Sequence, residues 1–230
     1  MDHSNNHSNY SAPLAQAHRL FLALLFALAV TLGPEALRDA AAAAGSTNVS
    51  TPLTGKQLLD ELRNGGYLLY FRHTATDFSQ DDTRSRGAAD CDNQRNLTDV
   101  GRAQAHRIGV AVRELRIPIG EVLASPLCRT METARLAFGR ATATTAARGG
   151  PLQAADAERY AALRALLSAP RLKGANAVIA SHGNPFFAIA GPPYLAEGEA
   201  AVVRGLGNDR FDIVARIRHD DWQTLAAAGR

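Results

Sequence analysis

The stretch YLLYFRHTATD, running from Tyr67 to Asp77, is apolar through Phe71 and then turns polar at Arg72, His73 and Thr74. An apolar run without alternation is the pattern of a strand covered on both faces, as in a sheet flanked by helices. Its polar end matters because α/β proteins build their sites at the carboxyl ends of strands, in a crevice of the sheet.

Working outward, the same grammar repeats. Thr54-Gly55-Lys56-Gln57 reads as a capping box opening a helix with Leu58, Leu59 and Leu62 on one face, stopped by Gly65-Gly66. The segment Thr76 to Asn96 is polar and Asp-rich, a long loop of the kind that is usually functional or disordered. Thr98 caps a helix carrying Ala103, Ile108, Val112 and Leu115. Glu121 to Ala124 reads as a short strand, followed by Ser125 as N-cap and Pro126 as first residue of a helix that holds Arg129 and ends at Gly139. ATATTAA is a third strand candidate, Asp156 to Leu167 a helix, and NAVIASHG a buried strand ending on Ser181-His182-Gly183. AAVVRGL and FDIVARI close the chain as an antiparallel pair joined through GNDR. The expected fold is α/β: one three-layer α/β/α domain with a mostly parallel sheet.

The chain has 230 residues, 46% of them apolar, with a net charge of +3. That charge is small and dispersed and shows no basic stripe, which argues against nucleic acid as a partner. Lys occurs only at Lys56 and Lys173, so cationic chemistry here is arginine chemistry, suited to forking onto phosphate or carboxylate. Near the N-terminus, His18-Arg19 precede LFLALLFALAVTL (Leu20–Leu32) and then Ala42-Ala43-Ala44. This is the layout of a secretory signal, and its apolar run of about 13 residues is shorter than the roughly 20 a bilayer span needs. Residues 1–44 are therefore expected to be a leader and 45–230 the catalytic domain, periplasmic or secreted, with no stable membrane span after signal removal. An uncleaved anchor is the alternative.

Cys91 and Cys128 form an even pair in a chain expected to be exported, so a structural disulfide is expected. A Cys-based phosphatase would need Arg six residues past Cys91, where Leu97 stands. Two lone Cys without a paired His make a poor zinc site.

FRHT, ASPLCRT and ASHGN each deliver His or Arg just past a strand end. Two imidazoles and two guanidiniums converging on one crevice suit phosphoryl transfer. A neutral imidazole is an available nucleophile near pH 7, and Arg72 and Arg129 can grip non-bridging phosphate oxygens. A helix N-terminus at Ser125 would add N–H donors, and His182 a further donor as charge spreads over those oxygens. No cofactor or cation is required, and His3, His7, His18, His106 and His219 lack ligand spacing.

RHT, RNLTDVGRAQA, SPLCRTMETA and SHGN, in that order from about Tyr67 to Ile189, resemble the histidine phosphatase superfamily and its phosphoglycerate-mutase-like branch. The resemblance implies that His73 is transiently phosphorylated and that Arg72, Arg129 and His182 form the phosphate pocket. It implies a positioning role for Leu97, Thr98 and Gly101 and a hydrogen-bonding support at Asn184. Thr74 stands where many members have Gly, and ATDFS replaces their Glu-Ser-x-x-Asn, with Ser79 as positional substitute for the Asn. The offset at which mutase-like relatives carry the proton-donating acid falls on Asp156, with Glu158 and Asp77 as rivals.

The reading is an exported, metal-independent phosphomonoesterase acting through phosphohistidine on a small phosphorylated substrate, an envelope sugar phosphate being the analogy. A non-catalytic binder of phosphorylated envelope components, a phosphoryl mutase and a metal-dependent phosphatase are the alternatives. The loop from Thr74 to Leu97, carrying Asp77, Asp81, Asp82, Arg84 and Arg86, is expected to form one wall of the pocket.

Overall fold

The computed structural model describes residues 52–150 and 159–228. The leader expected over residues 1–44 lies outside them, as do Asp156 and Glu158. In chain order the elements are α1 (Gly55–Asn64), β1 (Leu68–Arg72), α2 (Asp99–Glu114), β2 (Ile119–Ala124), α3 (Cys128–Phe138) and β3 (Thr142–Ala143). Then come α4 (Ala161–Ser168), β4 (Asn176–Ser181), α5 (Gly183–Ala190), β5 (Ala200–Gly207), β6 (Arg210–Ile217) and α6 (Asp221–Ala228).

The strands form one sheet in the order β3-β2-β4-β1-β5-β6. The first four run parallel, and β5 and β6 add an antiparallel edge. Side chains alternate across the sheet. Leu69, Phe71, Val178, Ala180 and Val202 pack on one face with α1, α2, α3 and α6. Leu68, Tyr70, Ile179, Ala201 and Val203 pack on the other with α4 and α5. This is the expected three-layer architecture. Both faces of β1 and β4 are covered, which is why neither strand alternates in polarity.

Three sequence expectations shift. Thr54 precedes α1, but its side chain makes no capping hydrogen bond; the helix rests instead on Leu58, Leu59 and Leu62, each worth about 1.5–3 kcal/mol when fully buried. In α2 the buried face runs through Ala105, Ile108 and Val112 while Ala103 is exposed. α3 starts at Cys128 with Leu127 as N-cap, so Ser125 and Pro126 precede the helix rather than open it. Thr98 does cap α2, accepting the Gly101 N–H at 3.0 Å. Gly101 is required there by close approach: a Cβ would sit 2.0 Å from the Ala75 carbonyl oxygen. The chain reversal between β5 and β6 places Asn208 and Asp209 at φ 53° and 56°, the conformation of a tight hairpin turn.

Among the described residues no helix is long and apolar enough to cross a membrane. The expected disulfide joins Cys91 to Cys128, with Cα atoms 5.7 Å apart.

Candidate active site

The parallel register of β1 and β4 sets the site. Arg72 is paired with Ser181, so His73 and His182 are the next residues on neighbouring strands, just past the sheet's carboxyl edge. The His73 N–H donates to the Ser181 carbonyl at 3.0 Å, carrying the ladder one step further. Equivalent positions on adjacent parallel strands point to the same face, and the two rings meet edge to face with centroids 5.6 Å apart. Both are buried, yet both line a cavity of about 670 Å³ together with Arg72 and Arg129.

Hydrogen bonding assigns the His73 ring. Nδ1 lies 2.9 Å from the Thr74 carbonyl oxygen, which can only accept, so Nδ1 carries the proton and Nε2 keeps its lone pair. Burial, against the support of that bond, drives the His73 pKa down to about 3, and the charges of Arg129, Arg72 and Arg95 act in the same direction as burial. His182 is pushed well below the ordinary imidazole range by burial first and then by Arg129. Its Nε2 is 2.9 Å from the Ser125 Oγ, a fully buried hydroxyl at the end of β2. The result is two neutral imidazoles set among guanidinium groups, with His73 Nε2 left unprotonated.

Around them the guanidiniums are anchored. Arg72 donates to the Leu195 carbonyl at 2.9 Å and lies 3.5 Å from Glu197. Glu197 in turn accepts from Thr76 Oγ1 at 2.6 Å and sits 3.8 Å from His73 Nδ1. Arg129, on the first turn of α3, forks onto Asp82 with both terminal nitrogens at 2.9 Å. Burial opposes ionisation of Asp82. The hydrogen bonds from Arg129 and from the Arg95 N–H, with both guanidinium charges, nevertheless hold its carboxyl below the usual range. The loop does form a cavity wall, through Phe78, Asp82, Ser85, Arg86 and Gly87.

Arg72, His73, Arg129, His182 and Asn184 all line the cavity. Asn184 is engaged on both sides of its amide, donating to the Gly150 carbonyl at 2.9 Å and accepting from the Tyr194 hydroxyl at 2.7 Å. Thr74 does not line it. Its side chain turns to Thr133 on α3, and its carbonyl orients His73. Ser79 is also elsewhere, because its hydroxyl and N–H both bind Asp77 in a local turn that occupies that carboxylate as well. The expected helix N-terminus is displaced too. The Cys128 N–H is taken by the Gln94 side chain, whereas Gly183 and Asn184, at the start of α5, face the cavity. At Gly183 a Cβ would lie 2.2 Å from the Tyr194 ring, so any larger residue has to displace that exposed side chain.

Sequence reasoning passed over Arg95, Ser125 as a partner of His182, Tyr194 and Glu197. Arg95 sat in plain view two residues before Leu97; Glu197 and Tyr194 come from a loop whose only signals were turn residues.

The family model of the histidine phosphatase superfamily (branch 1) matches residues 68–148. No curated protein sequence matches the chain. Similar solved structures include the protein histidine phosphatase SixA complexed with tungstate, at 16% identity, covering 66% of this chain and 97% of that one with a TM-score of 0.46. A phosphoserine phosphatase mutant from Entamoeba histolytica in complex with phosphoserine is 11% identical over 67% and 98% of the two chains, TM-score 0.46. Mycobacterial glucosyl-3-phosphoglycerate phosphatase is 18% identical over 64% and 97%, TM-score 0.40. The matched segment holds Arg72, His73 and Arg129, so over residues 68–148 the chain is similar to the histidine phosphatase superfamily, branch 1.

Proposed function

We propose that the protein is a phosphomonoesterase that works through a phosphohistidine on His73. The match of residues 68–148 to the histidine phosphatase family model supports phosphoryl transfer. The observation supporting a His73 nucleophile is the Nδ1–Thr74 hydrogen bond, which leaves Nε2 unprotonated beside two guanidiniums in an open cavity. In the first step Nε2 bonds to phosphorus as the ester P–O bond breaks, and the leaving oxygen takes a proton. In the second, water attacks phosphorus, the P–N bond breaks, and inorganic phosphate leaves with His73 restored. Arg72 and Arg129 stabilise the equatorial oxygens in both steps, so charge is neutralised without a cation. His182, opposite His73 and fixed by Ser125, donates to the same oxygens once the bound anion raises its proton affinity and it takes up a proton from solvent. For the leaving-group acid the proposal made from sequence stands, Asp156 with Glu158 and Asp77 as rivals. Asp82 is ill suited to that role in the free protein because Arg129 holds it ionised.

Brief incubation with a labelled phosphomonoester, then denaturation, should leave acid-labile, base-stable phosphate on His73. His73→Ala should lower turnover by roughly 10³–10⁶-fold. Normal turnover by that variant would end the reading, and activity lost on chelation would replace it with a metal-dependent one. A screen of small phosphomonoesters, envelope sugar phosphates first, addresses the substrate.

Export belongs to the same proposal. The Cys91–Cys128 bond suits an oxidising compartment. A mature N-terminus near residue 45 in protein recovered outside the cytoplasm would agree with it.

A further inference from the structure

We propose that Arg95 is a third guanidinium that grips the phosphoryl group, in addition to the pair carried by the family motifs; this rests on the phosphate-site reading above. In the free protein both terminal nitrogens of Arg129 are engaged, its fork closed on Asp82 and one of them also donating to the Arg95 carbonyl at 3.2 Å, although its Nε, like that of Arg95, has no partner among the described residues. Arg72 is tied to Leu195 and Glu197. Arg95 differs. Its side chain lines the same cavity, yet among the described residues its guanidinium hydrogen-bonds to no oxygen, and its Nε is buried without a partner. The group is held by an aromatic face instead, with Cζ 4.9 Å from the centroid of Phe78. Such stacking fixes the plane of the fork while leaving its N–H groups available.

Its charge is felt at both imidazoles, which it helps keep neutral. A half-buried donor fork whose Nε is cut off from water and has no acceptor is unfavourable, and it becomes favourable when an anion supplies the oxygens. The hydrogen bonds of Arg95 are all on its backbone: its N–H donates to Asp82 at 2.9 Å and its carbonyl accepts from Arg129. Truncating the side chain therefore removes the fork and leaves the loop's ties in place.

The test is equilibrium binding of inorganic phosphate to the full chain by titration calorimetry, beside the His73 labelling experiment. Arg95→Ala should weaken phosphate binding about 10- to 100-fold with an unchanged melting temperature. Free guanidinium ion should restore part of the loss in that variant and do nothing to the wild type. Arg95→Lys keeps a charge but not the fork, and should lose roughly fivefold or more; it decides the matter should the Ala variant fail to fold. Phosphate binding within twofold of wild type in the folded variant overturns the inference, as does a wild type that binds no phosphate. Lost binding without any phosphohistidine would uphold Arg95 and refute the nucleophile. Labelled His73 with unaltered binding would do the opposite.

Discussion

At the scale of single residues, Asp82 presents Arg129 with two carboxylate oxygens in the fork geometry that a phosphate would offer. It is an internal competitor for the anion. Asp82→Asn should therefore tighten orthovanadate inhibition by about tenfold, the worth of one charge-assisted hydrogen bond given up by the free protein. It should also lower the melting temperature, because the buried Arg129 loses its counter-ion. Opposite signs for affinity and stability distinguish this from simple damage to the site; weaker inhibition would show that Asp82 helps hold the anion. Ser125 offers a second case. Ser125→Ala removes the hydroxyl at His182 Nε2 without disturbing the backbone N–H that bonds Ala180. We expect kcat to fall about 10- to 100-fold with little change in phosphate affinity, measured by steady-state kinetics against calorimetry.

Among elements, the loop from Thr76 to Asn96 depends most on long-range ties. Gln94 is buried and bridges it to α3, donating to the Gly87 and Ala88 carbonyls and accepting the Cys128 N–H. The Cys91–Cys128 bond closes a loop with a sequence separation of 37, which by loop-closure entropy stabilises the fold by about 4 kcal/mol. A Cys91→Ser/Cys128→Ser pair, or reductant, should lower the unfolding free energy by that order in a denaturant titration and weaken phosphate binding, since Arg95 rides on this loop. Unchanged unfolding would show that Gln94 and the Asp82–Arg129 pair suffice. What was legible in the chain divides along the same line. Strands β1 and β4, α2 and the β5–β6 hairpin were readable because burial and turn chemistry are local, and so were Arg72, His73, Arg129 and His182 at strand and helix ends. The helix α5 was missed because Pro185 follows Gly183-Asn184 and reads as a loop; Pro is tolerated there in the first turn. Glu197 and Tyr194 escaped notice because their meaning comes only from what folds against them. Thr74 and Ser79 were misplaced for a similar reason, sequence position carrying no information on which way a side chain turns.

For the whole molecule, the site leaves a signature in acid. An unfolded His binds a proton below about pH 6.5, whereas His73 in the fold does so only near pH 3 and His182 is shifted in the same direction, both chiefly by burial. Between those values the unfolded chain holds more protons than the native one, so stability falls as pH falls, and no such loss arises above about pH 6.5. A ring still neutral at pH 4.5 carries about 2–3 kcal/mol of this penalty relative to pH 7. Asp82 adds to the loss only at lower pH, as its depressed carboxyl finally protonates and Arg129 loses its partner. Denaturant midpoints at pH 7 and pH 4.5 should therefore differ clearly for the wild type. His73→Gln with His182→Gln replaces both imidazoles by amides that do not titrate, and should bring the two midpoints closer together. Saturating phosphate should act against the penalty, because an anion in the cavity favours protonated imidazole as well as the native state. A wild-type midpoint insensitive to pH across that window would mean that the rings are hydrated and able to charge in place, and the neutral nucleophile inferred from their burial would have to be given up.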